Sequence, residues 1–586
     1  MEKTVRYLAF FVIGVAAFSC GKPLEKLPAE AFQTVCNPVN LSYRFQPEAI
    51  AGRVNGRVPS YREGADPTVV LFGDRYYAFV SHSGGYFSSA DLIHWELVVA
   101  NDVFPVEAYA PTAVVIGDAV YVVASGVGRV IRSTAPDSGQ WAVVNPAFPL
   151  TFTDPALFLD DDGRLYYYAG CSDSTPIYGY ELSPKTFEPL SEQHILIAAD
   201  KLQRGWEVKS DYNIPAEGDN PWIEGAWMNK HNGKYYLQYA APGTEMKSYC
   251  DGVFVADAPL GPFTLAEHNP FAYKPGGFVC GAGHGSTFLD RFGNCWHVGT
   301  ATISQRHMFE RRLSLFPAFF DADGVLHART VFGDYPMIIP DHKIAAPDEL
   351  FPAWMLLSFG KKVTVSSEMA RNEASKLCDE DIRTWWSAET GHVDEWLQLD
   401  LEEAAAIYAL QLNFADEGAA LYGRADSIFY QYTVEASADG KHWELLLDRS
   451  DNTVDAPHDY VQLSQPIKAR YLKVRNRYVP SGRFSVSEFR VFGKSDMAAP
   501  TAVDNVRITR EADRRSVRLK WIAVPSATGY VVRFGYSADK LYSSYMVYAR
   551  NELDIHSLNA ALPCFFAVDA FNAGGITCGA VSKEEE

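Results

Sequence analysis

Five times along this 586-residue chain a short polar opening is followed, seven to nine residues later, by a glycine-led hairpin and an aromatic strand. The first three copies are Asp66-Pro67 before Gly73-Asp74-Arg75-Tyr76-Tyr77, Ala110-Pro111 before Gly117-Asp118-Ala119-Val120-Tyr121, and Asp154-Pro155 before Gly163-Arg164-Leu165-Tyr166-Tyr167. Two more follow: Glu224-Gly225 before Gly233-Lys234-Tyr235-Tyr236, and His284-Gly285 before Gly293-Asn294-Cys295-Trp296. Repeats of about 40 to 50 residues, each a group of short alternating strands, are the pattern of a β-propeller, whose blades are four-stranded sheets that bury their faces against one another. The wider spacing of the later copies reads as loop insertion. The tyrosine pairs are expected to fill the interfaces between blades.

The repeat also gathers chemistry. If the opening residues take equivalent places on the innermost strands, Asp66, Asp154, Glu224 and His284 converge on the propeller axis from four blades. Carboxyls crowded in a partly desolvated cleft drive their pKa values apart, so that one stays protonated as an acid while another is ionised as a base. Glycoside hydrolysis needs such a pair. Each residue also has a structural reading. Asp-Pro opens turns and caps backbone N–H groups, and His284 could be a satisfied core histidine. Glu224 lies in the apolar run Pro221 to Trp227, where burial is costly unless the carboxylate is paired, protonated or facing a cleft. Trp222, Trp227, Phe87 and Trp206 are candidates either for sugar stacking or for core.

At these residues the chain resembles glycoside hydrolase family 43, five-bladed propeller enzymes acting on arabinose- and xylose-containing plant polysaccharides. The resemblance covers roughly residues 61–340. It rests on Ala65-Asp66-Pro67, Ser88-Ser89-Ala90-Asp91-Leu92-Ile93-His94-Trp95, Thr153-Asp154-Pro155 with Asp160-Asp161-Asp162-Gly163, Glu224-Gly225-Ala226, Leu260-Gly261-Pro262-Phe263 and Gly283-His284-Gly285-Ser286. It implies an α-L-arabinofuranosidase or β-xylosidase working with inversion, with a galactosidase on the same fold or a non-catalytic glycan-binding propeller as alternatives. Asp66 would activate water as general base, Glu224 would protonate the leaving oxygen, and Asp154 would tune and orient the acid. His284 would help hold the sugar, a water or a metal ion. The second repeat departs from the family in opening with Ala110-Pro111-Thr112, which puts one substrate contact in doubt.

Beyond a proline-rich exit at 336–352, strand-like segments resume without the glycine-aromatic repeat. The run Cys378 to Trp386, then Glu395 to Leu401, Tyr432 to Trp443 and Ser487 to Gly493, resembles the discoidin or coagulation factor 5/8 C-type sandwich, which includes carbohydrate-binding module family 32. Oxygen-rich Asp379, Asp381, Thr384 and Glu488 suit a structural Ca²⁺ or, equally, turn capping. No cofactor is otherwise expected. The strands Val517 to Trp521, Gly529 to Phe534 and Phe565 to Asn572 resemble a fibronectin type III domain, with Trp521 and Tyr530 in its core and a spacer role expected. The fold expected is therefore all-β: an export signal over 1–20, a linker over 21–60, a five-bladed propeller over 61–345, then two β-sandwiches over 355–494 and 498–582.

Charge narrows the partners. With 52 basic and 72 acidic residues the net charge is −20, which argues against nucleic acid and anionic membrane surfaces. The expected partner is a plant cell-wall poly- or oligosaccharide. A weakly basic start, an apolar stretch from Leu8 to Phe18 and Ala17-Phe18-Ser19-Cys20-Gly21 read as an export signal. Cys20 in that setting resembles the lipidation site of a bacterial lipoprotein, which would anchor the protein to a periplasmic or cell-surface membrane; plain secretion is the alternative. None of the other eight cysteines shows Cys-x-x-Cys metal spacing, and Cys564 with Cys578 is the expected disulfide if one forms.

Overall fold

A computed structural model describes residues 24–47, 60–215 and 220–584. The export segment and Cys20 lie outside the described residues. Five four-stranded antiparallel sheets follow one another over residues 68–98, 112–145, 156–197, 224–265 and 280–328, each in simple up-and-down order. Those are the five blades. The glycine that leads each first hairpin, Gly73, Gly117, Gly163, Gly233 or Gly293, has a φ between 61° and 84°. Such left-handed turns fit the right-handed twist of the strands they join, and glycine enters them without steric strain. The aromatic strand that follows is then buried on both faces, as in Leu165–Ala169, every residue of which is buried.

Among the described residues, neither the first nor the last blade borrows a strand to close the ring. Closure comes instead from side chains of blade five that accept backbone N–H groups of blade one: Thr300 Oγ1 from Asp66 at 2.9 Å and Ser286 Oγ from Val69 at 3.1 Å. Tyr76 and Phe288 pack across the same seam with ring centres 6.4 Å apart.

The second domain is a sandwich whose long strands, Trp396–Phe414 and His458–Tyr478, bend at irregularities between Asp400 and Ala405 and between Ile407 and Ala409. Bulges of this kind let one strand serve both layers. The C-terminal domain pairs a three-stranded sheet with a five-stranded one around Trp521 and Tyr530, whose rings meet edge-on at 5.1 Å.

Three expectations change here. The segment expected as a linker is a strap: Glu25–Lys26 adds to the sandwich strand His458–Tyr478, Gln33–Val35 pairs with Met337–Ile339, and Arg44–Phe45 pairs with Arg62–Glu63. The C-terminal domain is no spacer. It packs on blade four and on the segment leading into it, where Gly205 N–H donates to Leu558 C=O and Trp206 Nε1–H to Asn559 Oδ1 at 3.2 Å. Nor is there a disulfide among the described residues, since Cys564 is buried and Cys578 exposed, both as free thiols.

One buried ion pair ties the three domains. Arg490 and Glu380, both wholly buried, join through Nε–Oε1 at 2.8 Å and Nη2–Oε2 at 2.9 Å. Arg490 Nη1 also donates to the Asp334 carbonyl at the propeller exit, and Tyr548 of the C-terminal domain donates to Glu380 Oε2 at 3.2 Å. Removing one partner of a buried pair strands the other charge, at a cost of about 3–5 kcal/mol. Arg490→Met is therefore expected to lower the melting temperature markedly; an unchanged transition in differential scanning calorimetry would contradict the clamp.

Candidate active site

Each blade enters the axis through one residue in left-handed backbone conformation: Asp66 (φ 53°), Ala110 (42°), Asp154 (56°), Gly225 (60°) and His284 (45°). Such conformations are strained for residues other than glycine and persist only where the surroundings fix them. Here the fixing group comes from the preceding blade. Thr300 accepts the N–H of Asp66, Ser81 that of Ala110 at 2.7 Å, Ser125 that of Asp154 at 2.9 Å, and Asp251 that of His284 at 2.8 Å. Between blades three and four the link is a reciprocal backbone pair, Ser172 with Ile223, 3.0 Å each way. A closed ring of inter-blade bonds results.

This ring brings Asp66, Asp154 and His284 together as the repeat implied. His284 Nδ1 stands 3.2 Å from Asp66 Oδ1 and 3.6 Å from Asp154 Oδ2. Blade four differs. Its left-handed residue is Gly225, so Glu224 stands one place ahead of the position held by Asp66 and Asp154. The glycine is required because a Cβ there would lie 2.5 Å from His284 Cγ. Ala110 holds the fifth position without a polar side chain.

Arg311 completes the charge pattern. Arg311, buried on blade five, reaches Asp66 Oδ1 at 3.1 Å, Glu63 Oε1 at 2.6 Å and Thr244 Oγ1 at 3.0 Å. Burial pushes the Asp66 carboxyl up, but Arg311, His284 and a bond from Ser81 hold it below the usual carboxylate range. Asp154 shows the opposite balance. Burial, with the Glu224 and Asp66 charges, pushes it up to about 7 against the pull of His284. Burial disfavours a charged imidazole at His284, yet Asp66, Asp154, Glu224 and Asp251 together raise it above the ordinary histidine range. Glu224 accepts hydrogen bonds from Tyr249 Oη at 2.5 Å and Cys171 Sγ at 3.2 Å. Paired groups with pKa values driven apart are the requirement for an acid and a base in one cleft.

Sequence patterns miss Arg311, Tyr249 and Cys171. Arg311 and Arg312 open the buried strand Arg311–Phe320, and charges on a buried strand were the available signal. The aromatic candidates divide. Trp222 is half-buried beside the site, its Nε1–H on Cys171 Sγ at 3.1 Å. Phe87 is not a sugar platform, being 1% exposed in the core of blade one. Trp206 is fully buried against Gly252 and the C-terminal domain, and Trp227 turns its Nε1–H to the Thr287 carbonyl, packing at the edge of the same core. Half-buried Tyr109 and Phe309, 5.6 Å apart beside Arg311, are the aromatic faces near Asp66 that the sequence did not single out.

Asp154, Cys171 and Glu224 each offer a ligand atom within 4.8 Å of the others. The thiol proton is engaged with Glu224 Oε2 at 3.2 Å. In the sandwich, Thr384 Oγ1 donates to Asp379 Oδ2 at 2.8 Å, while Glu488 Oε1 is buried without a partner. Burial, Glu380 and Asp379 push the Glu488 carboxyl well up. Oxygen donors of this kind are those a hard cation takes. Asp381 departs from that expectation, for its carboxylate turns to Lys247 of the propeller at 3.3 Å.

Residues 60–326 match the family model for glycosyl hydrolases family 43, and residues 362–489 that for the F5/8 type C domain. A β-xylosidase of Xylanibacter ruminicola is 31% identical over 127 residues, 19% of this chain and 39% of the relative. An arabinoxylan arabinofuranohydrolase of Paenibacillus polymyxa is 32% identical over 159 residues, 25% of this chain and 22% of the relative. The chain thus spans well under half the length of these relatives. The solved structure of a thermostable family-43 glycoside hydrolase superposes with a TM-score of 0.39 at 23% identity, covering 46% of this chain and 93% of that one.

The Gly225 contact yields a test. Gly225→Ala places a methyl against His284 and a non-glycine residue at a left-handed φ, a penalty of about 1–3 kcal/mol in backbone strain alone. The variant is expected to melt at lower temperature than wild type; an equal melting temperature would mean that the close approach is relaxed in solution.

Proposed function

We propose, from the premise that residues 60–326 form a glycosyl hydrolase family 43 domain, that the protein hydrolyses O-glycosidic bonds in arabinose- or xylose-containing plant polysaccharides. Asp66 is the general base, Glu224 the general acid, and Asp154 the group that governs the acid's proton. The observation that carries this reading is the split between a carboxyl held low at Asp66 and one pushed up to about 7 at Asp154, on either side of His284. An ionised Asp66 can take a proton from water as that water attacks the anomeric carbon. The glycosidic oxygen then leaves with a proton from Glu224, giving net inversion. The names of the xylosidase and arabinofuranohydrolase relatives support the choice of sugar. His284 and Trp222 are proposed to contact the sugar.

The F5/8 type C domain is proposed to bind glycan, with Ca²⁺ held by Asp379, Thr384 and Glu488 as structural support. Export and lipid anchoring through Cys20 are proposed on the sequence at 1–21.

The test is release of 4-nitrophenol from α-L-arabinofuranoside, β-D-xyloside and β-D-galactoside by protein lacking residues 1–20, alongside Glu224→Gln. Turnover of an arabinofuranoside or xyloside, lost by on the order of a thousandfold or more in the variant, is expected. Asp154 holds its proton below about pH 7 and releases it above. kcat/KM should therefore hold through mildly acidic pH and fall on the alkaline side of neutrality. Silence on all three glycosides together with glycan binding would favour a non-catalytic propeller, and turnover of the galactoside alone would change the sugar.

A further inference from the structure

One of the two donors to Glu224 is a thiol. Cys171 follows the second strand of blade three, Leu165–Ala169, and its neighbour Ser172 makes the reciprocal backbone pair with Ile223 that joins blades three and four. That pair sets Cys171 opposite the segment Trp222 to Glu224. Trp222 Nε1–H donates to the sulfur at 3.1 Å, and the sulfur donates onward to Glu224 Oε2 at 3.2 Å. The thiol also lies within 4.8 Å of an Asp154 carboxylate oxygen. Buried Cys250 and Cys280 instead place their thiols on backbone carbonyls, those of Ala241 and Pro275. Cys171 is half-buried and engages the acid itself.

We infer that Cys171 is a positioning residue for the general acid, its thiol fixing the Glu224 carboxyl between Trp222 and Tyr249. The inference rests on the reading of Glu224 as that acid. A carboxyl bound at both oxygens has little rotational freedom, which keeps its proton aimed at one place. A hydroxyl would orient it as well but would favour the ionised form more strongly, because S–H is a weak donor. The thiol therefore orients Glu224 while leaving it able to carry a proton. Burial and the Asp154 and Glu224 charges push the thiol far above its ordinary range, so it acts here as a neutral donor. The other titratable groups facing this carboxyl pair are Asp66, His284, Tyr249 and Asp251.

The test compares Cys171→Ala and Cys171→Ser with wild type in kcat, KM and the pH dependence of kcat/KM. Losing the donor is expected to lower kcat by about tenfold in the alanine variant with a smaller change in KM, and serine is expected to recover most of it. A donor to a carboxylate favours its ionised form, so removing it shifts the alkaline fall of activity to higher pH and strengthening it shifts the fall to lower pH. The expected order of that fall is alanine highest, wild type between, serine lowest. Serine is nearly isosteric with cysteine, so its position in the order tests the inference even where the alanine variant does not fold. Coincident pH profiles and a kcat within about twofold of wild type would overturn it. Activity surviving in Glu224→Gln would instead overturn the reading of the acid.

Discussion

Everything at the centre of this propeller depends on backbone N–H groups that leave their own sheets. Asp66, Ala110, Asp154 and His284 each sit in left-handed conformation because a side chain on the preceding blade accepts the N–H there. Because no strand is exchanged between the first and last blades among the described residues, these bonds also help to seal the ring. The same bonds thus stabilise the barrel of blades and aim the polar side chains. Strain confined to such positions, and held there by the rest of the fold, is the usual way in which a rigid scaffold presents reactive groups.

Aiming several carboxylates at one axis raises an electrostatic problem. Asp66, Asp154, Glu224, Glu63 and Asp251 crowd around Arg311 and His284. Full ionisation would leave excess negative charge in a buried site, which is costly at low effective dielectric. Arg311 holds Asp66 low, although burial still pushes Glu63 up beside it, and on the opposite side burial pushes Asp154 and Asp251 each up to about 7. The uneven placement of one guanidinium thus separates a base side from an acid side. That separation is a property of the blade geometry rather than of any one carboxyl.

Much of this was legible because the repeat is periodic. The hairpin glycines fixed where each blade begins, and the residue before each hairpin pointed to Asp66, Asp154 and His284. The one-residue offset at Glu224 was not legible, since Glu224-Gly225 aligns naturally with Asp-Pro until the backbone shows that Gly225 is the left-handed residue. Aromatic identity alone also failed to separate Trp222, which reaches the site, from Phe87, Trp206 and Trp227, which pack cores; strand membership gives alternation but not which face meets the axis. Arg311, Tyr249 and Cys171 come from strands or strand ends whose partners across the ring are distant in sequence. The strap at 24–47 and the seating of the C-terminal domain on blade four were hidden for the same reason, because they are contacts between modules that each read as self-contained.

The central claim is that Asp66 delivers water from one side of the sugar while Glu224 protonates the oxygen leaving on the other. Proton NMR of the sugar first released from a susceptible glycoside, recorded before mutarotation, addresses it directly. Direct displacement by water predicts that the first product carries the anomeric configuration opposite to the substrate. A first product of retained configuration would require a covalent intermediate and would contradict the roles assigned to Asp66 and Glu224.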